Sequence, residues 1–336
     1  MLCCGFGSDL ATMSLFKNVC IVTPVYNDWE SLSLLLASVD KAVSTLPISA
    51  SVIVIDDGSN SRIEDDLIDF GALGSLESIE IMELSYNMGN QRALAIGLAQ
   101  TAKKNDFDAV IVMDSDGEDR PEDIPKLLAE AENAPDHIIV ASRTKRHDPM
   151  SFRFFYLLYQ ILFRVLTGNS ISFGNFSVIP ITTLKSLVFM PNLWNCLPAT
   201  FLRSNFPIVH YALPRGSRYA GKSKMSTVAL IVHGLSVISA YSDILFVRIL
   251  IFSFLVAGLI IAAITAILGI KIFSDLAIPG WTSTVILALS ILLFQVVVIA
   301  LGALVLLLHG RSSVASGPMI DSETYIREKR LLWHKP

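Results

Sequence analysis

The sequence predicts an α/β domain built on a mostly parallel sheet and joined to a pair of membrane-spanning helices. Three observations lead there. Apolar runs of strand length alternate with helix-length stretches between about residue 17 and residue 143, the pattern of a sheet covered on both faces by helices. Three of these runs end in clusters of Asp, Asn, Gly and Ser, and ligands of such sheets sit at the carboxyl ends of strands. Beyond Asp243 the apolar residues, 52% of the chain against 17% charged, gather into two long uncharged stretches.

Taken in order, Asn18 to Val25 reads as the first strand. Asn27, Asp28 and Glu30 then form a capping-box arrangement ahead of Leu32, Leu34, Leu35, Leu36 and Val39, which opens a helix. Ser51 to Asp57 is the second strand, with a helix at about 61–70 after it. Ile79 to Leu84 gives the third strand and about 90–103 its helix. Ala109 to Asp114 is the fourth strand, about 121–133 a helix, and His137 to Ala141 the fifth strand. Phe152 to Leu166 sets Phe154, Phe155, Leu158 and Ile161 among Arg153 and Arg164, and Thr227 to Tyr241 is apolar with His233 and several Ser. Helices there suit a lipid headgroup layer, although the first segment fits a packed domain helix equally well.

Ile249 to Ile270 and Thr284 to Leu308 run for about 22 and about 25 residues without a charge, each enough to cross a hydrocarbon core of about 30 Å. Their connector carries only Lys271 and Asp275, whereas Arg248, Arg311, Arg327, Lys329, Arg330 and Lys335 lie on the other side. The positive-inside rule therefore puts the N-terminal part and the C-terminal tail in the cytoplasm of an inner-membrane protein. Met1 to Leu15 lacks the charged and apolar regions of a secretory signal. Cys3, Cys4, Cys20 and Cys196 show no metal-ligand spacing and read as cytosolic thiols. A net charge of -4 argues against a nucleic-acid partner.

The strand ends carry the chemistry. Strand one exits into Thr23-Pro24-Val25-Tyr26-Asn27-Asp28, strand two into Asp56-Asp57-Gly58-Ser59, and strand four into Asp114-Ser115-Asp116-Gly117-Glu118-Asp119. Any one of these is ordinary turn chemistry; three on one edge of one sheet are harder to dismiss. Asp114 and Asp116, spaced i, i+2 at the end of an apolar strand, suit a divalent cation held against a diphosphate, because hard cations take carboxylate and phosphate oxygens together. A dinucleotide-binding reading fails, since the only Gly-x-Gly, at Gly5 and Gly7, precedes the first strand.

With Asn87-Met88-Gly89, Ala93 and Gly97 downstream, and Arg218-Tyr219-Ala220-Gly221-Lys222-Ser223-Lys224, these motifs resemble the family 2 glycosyltransferases, and within them the membrane-anchored polyprenyl-phosphate group. The resemblance implies a GT-A type, Rossmann-like nucleotide-sugar domain with interfacial helices and two C-terminal transmembrane helices. It divides the chain into a tail (1–16), a cytoplasmic GT-A domain (17–225, interfacial helix about 152–166), a juxtamembrane helix (226–243), a hairpin (244–308) and a cytoplasmic tail (309–336). It also implies that Pro24, Tyr26, Asp28, Asp56, Asp57, Asn87, Gly89 and Asp114 bind a UDP- or GDP-sugar. Asp114, Asp116 and Glu118 would position Mg²⁺ or Mn²⁺, and Arg143 would lie near the phosphates. Arg218, Lys222, Ser223 and Lys224 match the region that meets the lipid phosphate. Physically, such a loop is a phosphate clamp, or juxtamembrane charge attracted to anionic lipid in general. Asp116, Arg143 and Arg218 are then the catalytic candidates.

One departure stands out: Gly174-Asn175-Phe176-Ser177 occupies the place of a Gly-Asp-Phe-Arg stretch, losing a carboxylate and a cation together. The absence of Gln-x-x-Arg-Trp makes processive polysaccharide synthases a poor match. The expectation is an inverting transferase making a polyprenyl-phosphate sugar for the cell envelope. The alternatives are transfer to another membrane lipid, such as a diacylglycerol, or a catalytically silent scaffold. A homo-oligomer is left open.

Overall fold

The computed structural model describes residues 15–64, 67–143, 160–161, 163–168, 170, 172–220, 234–273, 280–312 and 316–336. The chain forms two compact units, one from residues 1–148, 171–240 and 316–336, the other from residues 149–170 and 241–315.

The first unit holds β1 (Asn18–Val25), α1 (Trp29–Val43), β2 (Ser49–Asp56), β3 (Leu76–Leu84), α2 (Asn90–Lys104), β4 (Ala109–Val112), α3 (Ile124–Asn133) and β5 (Ile138–Arg143). It continues through β6 (Phe173–Pro180), α4 (Ile181–Leu187), α5 (Leu197–Arg203) and β7 (Ile208–Leu213). The strands lie in one eight-stranded sheet, ordered β7-β5-β6-β4-β1-β2-β3-β8, whose last member, β8 (Ile326–His334), comes from the C-terminal segment. The pairings β4·β1, β1·β2, β2·β3 and β5·β7 are parallel. β6 runs antiparallel between β4 and β5, so the sheet is more mixed than the sequence predicts.

Alternation along the central strands feeds two cores. Val19, Ile21, Val52, Val54 and Ile111 pack on the α1 and α3 side. Cys20, Val22, Ile53, Ile55 and Val112 pack on the α2 side. Gly97 lets α2 approach the sheet, since a Cβ there would lie 2.7 Å from Ile55. At about 25 cal/mol per Å² of buried apolar surface, these double-sided strands are the main stabilising contribution.

Several local expectations give way to tertiary demands. No helix forms at 61–70 among the described residues; a single 3-10 turn, Phe70–Ala72, follows Asp69, whose side chain accepts the Gly71 N–H. Ile68 and Leu73 are pinned into the core from an irregular segment, which a helical stripe at that position could not do. The capping box also fails: Asp28 is the N-cap of α1, but its side chain makes no cap hydrogen bond and pairs with Arg218 instead. β4 stops at Val112 because the Asp114 N–H turns to the Asp119 carboxylate.

The segment after Gly317 holds α8 (Pro318–Asp321) and the edge strand β8 (Ile326–His334), antiparallel to β3. Its inward face is ionic: Glu83, only 5% exposed, pairs with Arg62 and Arg330, and Arg62 also pairs with Glu328.

In the second unit, α6 (Ser242–Phe273) and α7 (Trp281–Ser312) are each 32 residues. Only 11% and 6% of their most apolar stretches are buried, so these are not the core helices of a soluble fold, and each is long enough to cross a bilayer. Before them, Phe163 is buried against Tyr241 in an edge-to-face contact at 5.7 Å. The rest of the segment expected to be interfacial, at 152–159, lies outside the described residues.

Candidate active site at the carboxyl edge of the sheet

The parallel strands β1, β2 and β4 deliver their following loops to the same edge. After β2, Asp56 accepts the Ser59 N–H (2.9 Å), and Asp57 accepts the Met88 and Gly89 N–H groups (2.7 and 2.9 Å), so one carboxylate ties the β2 turn to the start of α2. Both are nearly inaccessible. Burial pushes both carboxyls up, Asp57 to about 6, with the backbone donors opposing the shift and the neighbouring Asp56 adding to it. Gly58 has φ +68°, and a Cβ there would meet Asn87 N and Tyr86 C at 2.6 Å. Asn27 (φ 50°) joins the first two loops: its N–H donates to Ser59 Oγ and its side chain accepts the Asn60 N–H. Tyr26 beside it is exposed, and Pro24 lies on β1 opposite Ile55.

After β4, Asp116 accepts the Glu118 N–H with Oδ1 (2.9 Å) and meets Arg218 Nη1 with Oδ2 (3.1 Å). Arg218 Nη2 reaches Asp28 Oδ2 at 3.3 Å, so one guanidinium bridges the ends of β1 and β4. Its Nε is buried without a partner among the described residues. Burial raises the Asp116 carboxyl, helped by the charges of Asp114 and Glu118, while Arg218 lowers it. The Arg218 loop is seated on the Asp116 loop through backbone bonds, Tyr219 N–H to Asp116 O and Gly216 N–H to Glu118 O. Two glycines permit this contact: a Cβ on Gly117 would strike the Tyr219 ring at 2.6 Å, and one on Gly216 would strike Gly117 O at 2.3 Å.

Asp114 Oδ1 accepts from Asn90 and Asn175, both at 3.3 Å. Asn175 in turn accepts from Gln91 Nε2 (3.1 Å), whose own carbonyl accepts the Leu197 N–H (2.9 Å). The chain Leu197–Gln91–Asn175–Asp114 thus fixes the Asn175 amide as a donor to the carboxylate. Asn90 and Gln91, in the first turn of α2, carry no motif and were not expected in the site.

Glu118 is ion-paired with Arg215, and among the described residues no three His, Cys, Asp or Glu side chains cluster for a metal. Two carboxylates nevertheless fit a small hard cation. Mg²⁺ keeps several waters and binds through one or two carboxylates plus substrate phosphates. Asp114 Oδ2 has no protein partner among the described residues, and Asp116 Oδ2 has only Arg218. Asp119, 5% exposed, uses Oδ2 to hold the Asp114 N–H at 3.0 Å. Arg143 ends β5, two strands from β4. Lys222, Ser223 and Lys224 lie outside the described residues.

The family model Glycosyl transferase family 2 matches residues 20–189, half of the chain. The chain is similar to undecaprenyl-phosphate 4-deoxy-4-formamido-L-arabinose transferases: 29% identical over 227 residues to that of Yersinia enterocolitica, 64% of each chain. To that of Pectobacterium atrosepticum it is 30% identical over 156 residues, 46% of each chain. To that of Proteus mirabilis it is 33% identical over 144 residues, 43% of this chain and 42% of that one. The matches thus span less than two thirds of those relatives. Among solved structures, mannosyl-3-phosphoglycerate synthase from Rubrobacter xylanophilus aligns with a TM-score of 0.48 at 14% identity, over 67% of this chain and 72% of that one. Glucosyl-3-phosphoglycerate synthase from Mycobacterium tuberculosis, in complex with Mn²⁺ and UDP-glucose, aligns at 0.45 and 16% identity, over 68% and 80%.

Proposed function

Because the chain belongs to glycosyl transferase family 2, we propose that it is an inverting glycosyltransferase that moves a sugar from a UDP- or GDP-sugar to a polyprenyl phosphate at the cytoplasmic face of the inner membrane. The observation that carries this reading is the convergence of Asp28, Asp114 and Asp116 on one sheet edge with Arg218 between two of them. The undecaprenyl-phosphate transferases among the relatives support the acceptor class.

In this reading the base and ribose lie over the Asp56/Asp57 turn, among Pro24, Tyr26, Asp28, Asn87 and Gly89. Asp114 and Asp116, without the Arg215-paired Glu118, would hold Mg²⁺ or Mn²⁺, which would supply electrostatic stabilisation to the departing diphosphate. An oxygen of the lipid phosphate attacks the anomeric carbon as the bond to the nucleoside diphosphate breaks. A phosphate monoester has a second pKa of about 6 and is largely dianionic at neutral pH, so no side chain has to remove a proton. The commitment of Asp119 to the Asp114 N–H agrees with this. Arg218, with Lys222, Ser223 and Lys224 following, orients the acceptor phosphate and offsets its repulsion from the donor diphosphate, and Arg143 lies toward the donor phosphates.

Incubating membranes with radiolabelled UDP- and GDP-sugars plus polyprenyl phosphate tests the function. Label should pass to a mild-acid-labile lipid phosphate; transfer only to diacylglycerol, or to nothing, would refute it. For the orientation, Ser283→Cys should react with an impermeant thiol reagent from outside the cell, and protection there would invert the topology.

A further inference from the structure

Asp56 and Glu83 are register partners at the carboxyl ends of β2 and β3. Val54 and Ile81, two positions earlier in each strand, pack into the core on the α1 side, so by strand alternation Asp56 and Glu83 present their carboxylates side by side to that face. Both are buried, 6% and 5% exposed. Two carboxylates so placed disfavour each other's ionisation, and burial removes most of the water that would screen them. The nucleotide turn after β2 therefore has a built-in opponent on the next strand.

The charge that answers Glu83 comes from the C-terminal strand. Arg330, opposite Ile81 on β8, donates from Nη2 to Glu83 Oε1, and Arg62, from the segment after β2, approaches Oε2 at 3.4 Å. Arg330 is the better shielded of the two, its side chain 29% exposed against 56%, so it loses less of its attraction to solvent. Its Nε is buried with no hydrogen-bond partner among the described residues, Glu328 Oε1 coming only to 4.0 Å. A buried ion pair with an idle donor is weak support for an edge strand, and apolar residues would hold β8 as well. Apolar residues would not, however, neutralise Glu83. Asp56 responds to both neighbours: burial chiefly raises its carboxyl and Ser59 chiefly opposes this, with Glu83 adding to the rise and Arg330 to the opposition. The other nearby charges are accounted for. Asp57 adjoins Asp56 on its own turn, Asp28 after β1 is paired with Arg218, Glu328 on β8 is paired with Arg62, and the β1 partner of Asp56 is the uncharged Val25.

We propose that Arg330 is a positioning residue of the nucleotide site: by neutralising Glu83 it keeps Asp56 an anion, held on the Ser59 N–H and able to accept a hydrogen bond from the base or ribose of the donor. Arg330 touches neither donor nor metal in this account and acts only through Glu83 and Asp56. The proposal rests on the nucleotide-sugar reading of this sheet edge and deepens it, since donor affinity then depends on a strand at the far end of the chain.

The test is nucleotide binding by the full chain in detergent, with UDP and GDP as probes at saturating Mg²⁺, followed by calorimetry from about pH 5 to about pH 8. No acceptor or turnover is needed, and comparison with the wild type at each pH removes the titrations the proteins share. For whichever nucleotide the wild type binds, Arg330→Met should raise Kd about tenfold at the acid end and less than about twofold at the alkaline end, the acid limb moving up by about one pH unit. Arg330→Lys should stay near the wild type. Adding Glu83→Gln to Arg330→Met should bring the limb back to its wild-type position or below, because no charge is left to neutralise, and Glu83→Gln alone should move it down. A loss in Arg330→Met that is equal at every pH, or that Glu83→Gln deepens, would overturn the proposal and leave Arg330 a brace for β8. Should Arg330→Met fail to fold, Glu83→Gln alone decides, and an acid limb that stays in place or rises overturns the proposal. Wild-type protein that binds neither nucleotide overturns the nucleotide reading and the proposal together, whereas wild-type binding with an unshifted Arg330→Met profile overturns the proposal alone.

Discussion

Arg218 is the counter-ion of Asp116 as long as no metal is bound, so removing it should tighten metal binding and yet impair turnover. At about 3–4 Å and an effective dielectric of about 20, a single pair is worth about 4 kcal/mol before solvation is counted. Arg218 is 24% exposed and Asp116 19%, and partly exposed pairs lose most of that to screening and desolvation, leaving about 1–2 kcal/mol. Arg218→Ala should therefore lower the donor-free Mn²⁺ dissociation constant by about 5–30-fold, read by electron paramagnetic resonance titration, with Arg218→Lys between. Turnover with polyprenyl phosphate should fall by about 10²-fold or more, the usual cost of losing a preorganised group that stabilises transition-state charge. Asp116→Asn is the control and should lose both metal affinity and turnover while remaining membrane-inserted. Donor-free Mn²⁺ affinity that is unchanged or weaker in Arg218→Ala would refute the reasoning, because the guanidinium would not then compete with the cation for Asp116.

Asp57 titrates at about 6 instead of its usual 3.8 because it is buried. A carboxyl raised in the folded state contributes stability that is present below the unfolded value and lost as pH rises through the folded one, here about 3 kcal/mol across roughly pH 4 to 6. The melting temperature of the wild type in detergent should accordingly fall over that window more steeply than that of Asp57→Asn, and parallel profiles would contradict the assignment. Gly58→Ala must relieve a 2.6 Å approach to backbone atoms in a left-handed conformation; it should cost about 2 kcal/mol or more and raise the donor KM. Asn175→Ala strands Gln91 Nε2 and removes a donor to Asp114; turnover should drop by about 10-fold, with expression and membrane insertion retained.

Strand periodicity in the first half is written locally, which is why β1 is found at Asn18–Val25 as the alternation predicts and why α2 is found within one residue of its expected bounds. The spans are legible because lack of charge over more than 20 residues has few other meanings. β8 was hidden for a physical reason. Its half-buried face is made of Ile326, Glu328 and Arg330, and the charged members are compensated by Glu83 and Arg62, more than 240 residues away in sequence. β6 was hidden because Gly174 and Asn175 interrupt its apolar pattern where the site needs them. The aspartates were visible as motifs, but their partners were not: a pairing such as Arg218 with Asp28 depends on two loops meeting across 190 residues, which no local spacing encodes.

Asn175 shows how a departure from a family pattern can be absorbed. Read from sequence, exchanging a carboxylate and a cation for Asn175 and Ser177 puts catalysis in doubt. In the fold, Ser177 is fully buried and turns its hydroxyl to Asn175 O (2.8 Å), so no cation is missing from an open position. Asn175 is oriented by Gln91, itself fixed by the Leu197 N–H, and the amide nitrogen meets Asp114. A carboxylate at 175 would set a second negative charge against Asp114 and would need a counter-charge to stay ionised. An amide needs none, because it accepts from Gln91 and donates to Asp114 at the same time. The loss of the cation therefore follows from the loss of the acid, and the remaining arrangement leaves Asp114 oriented and available through Oδ2, as a ligand for a cation must be.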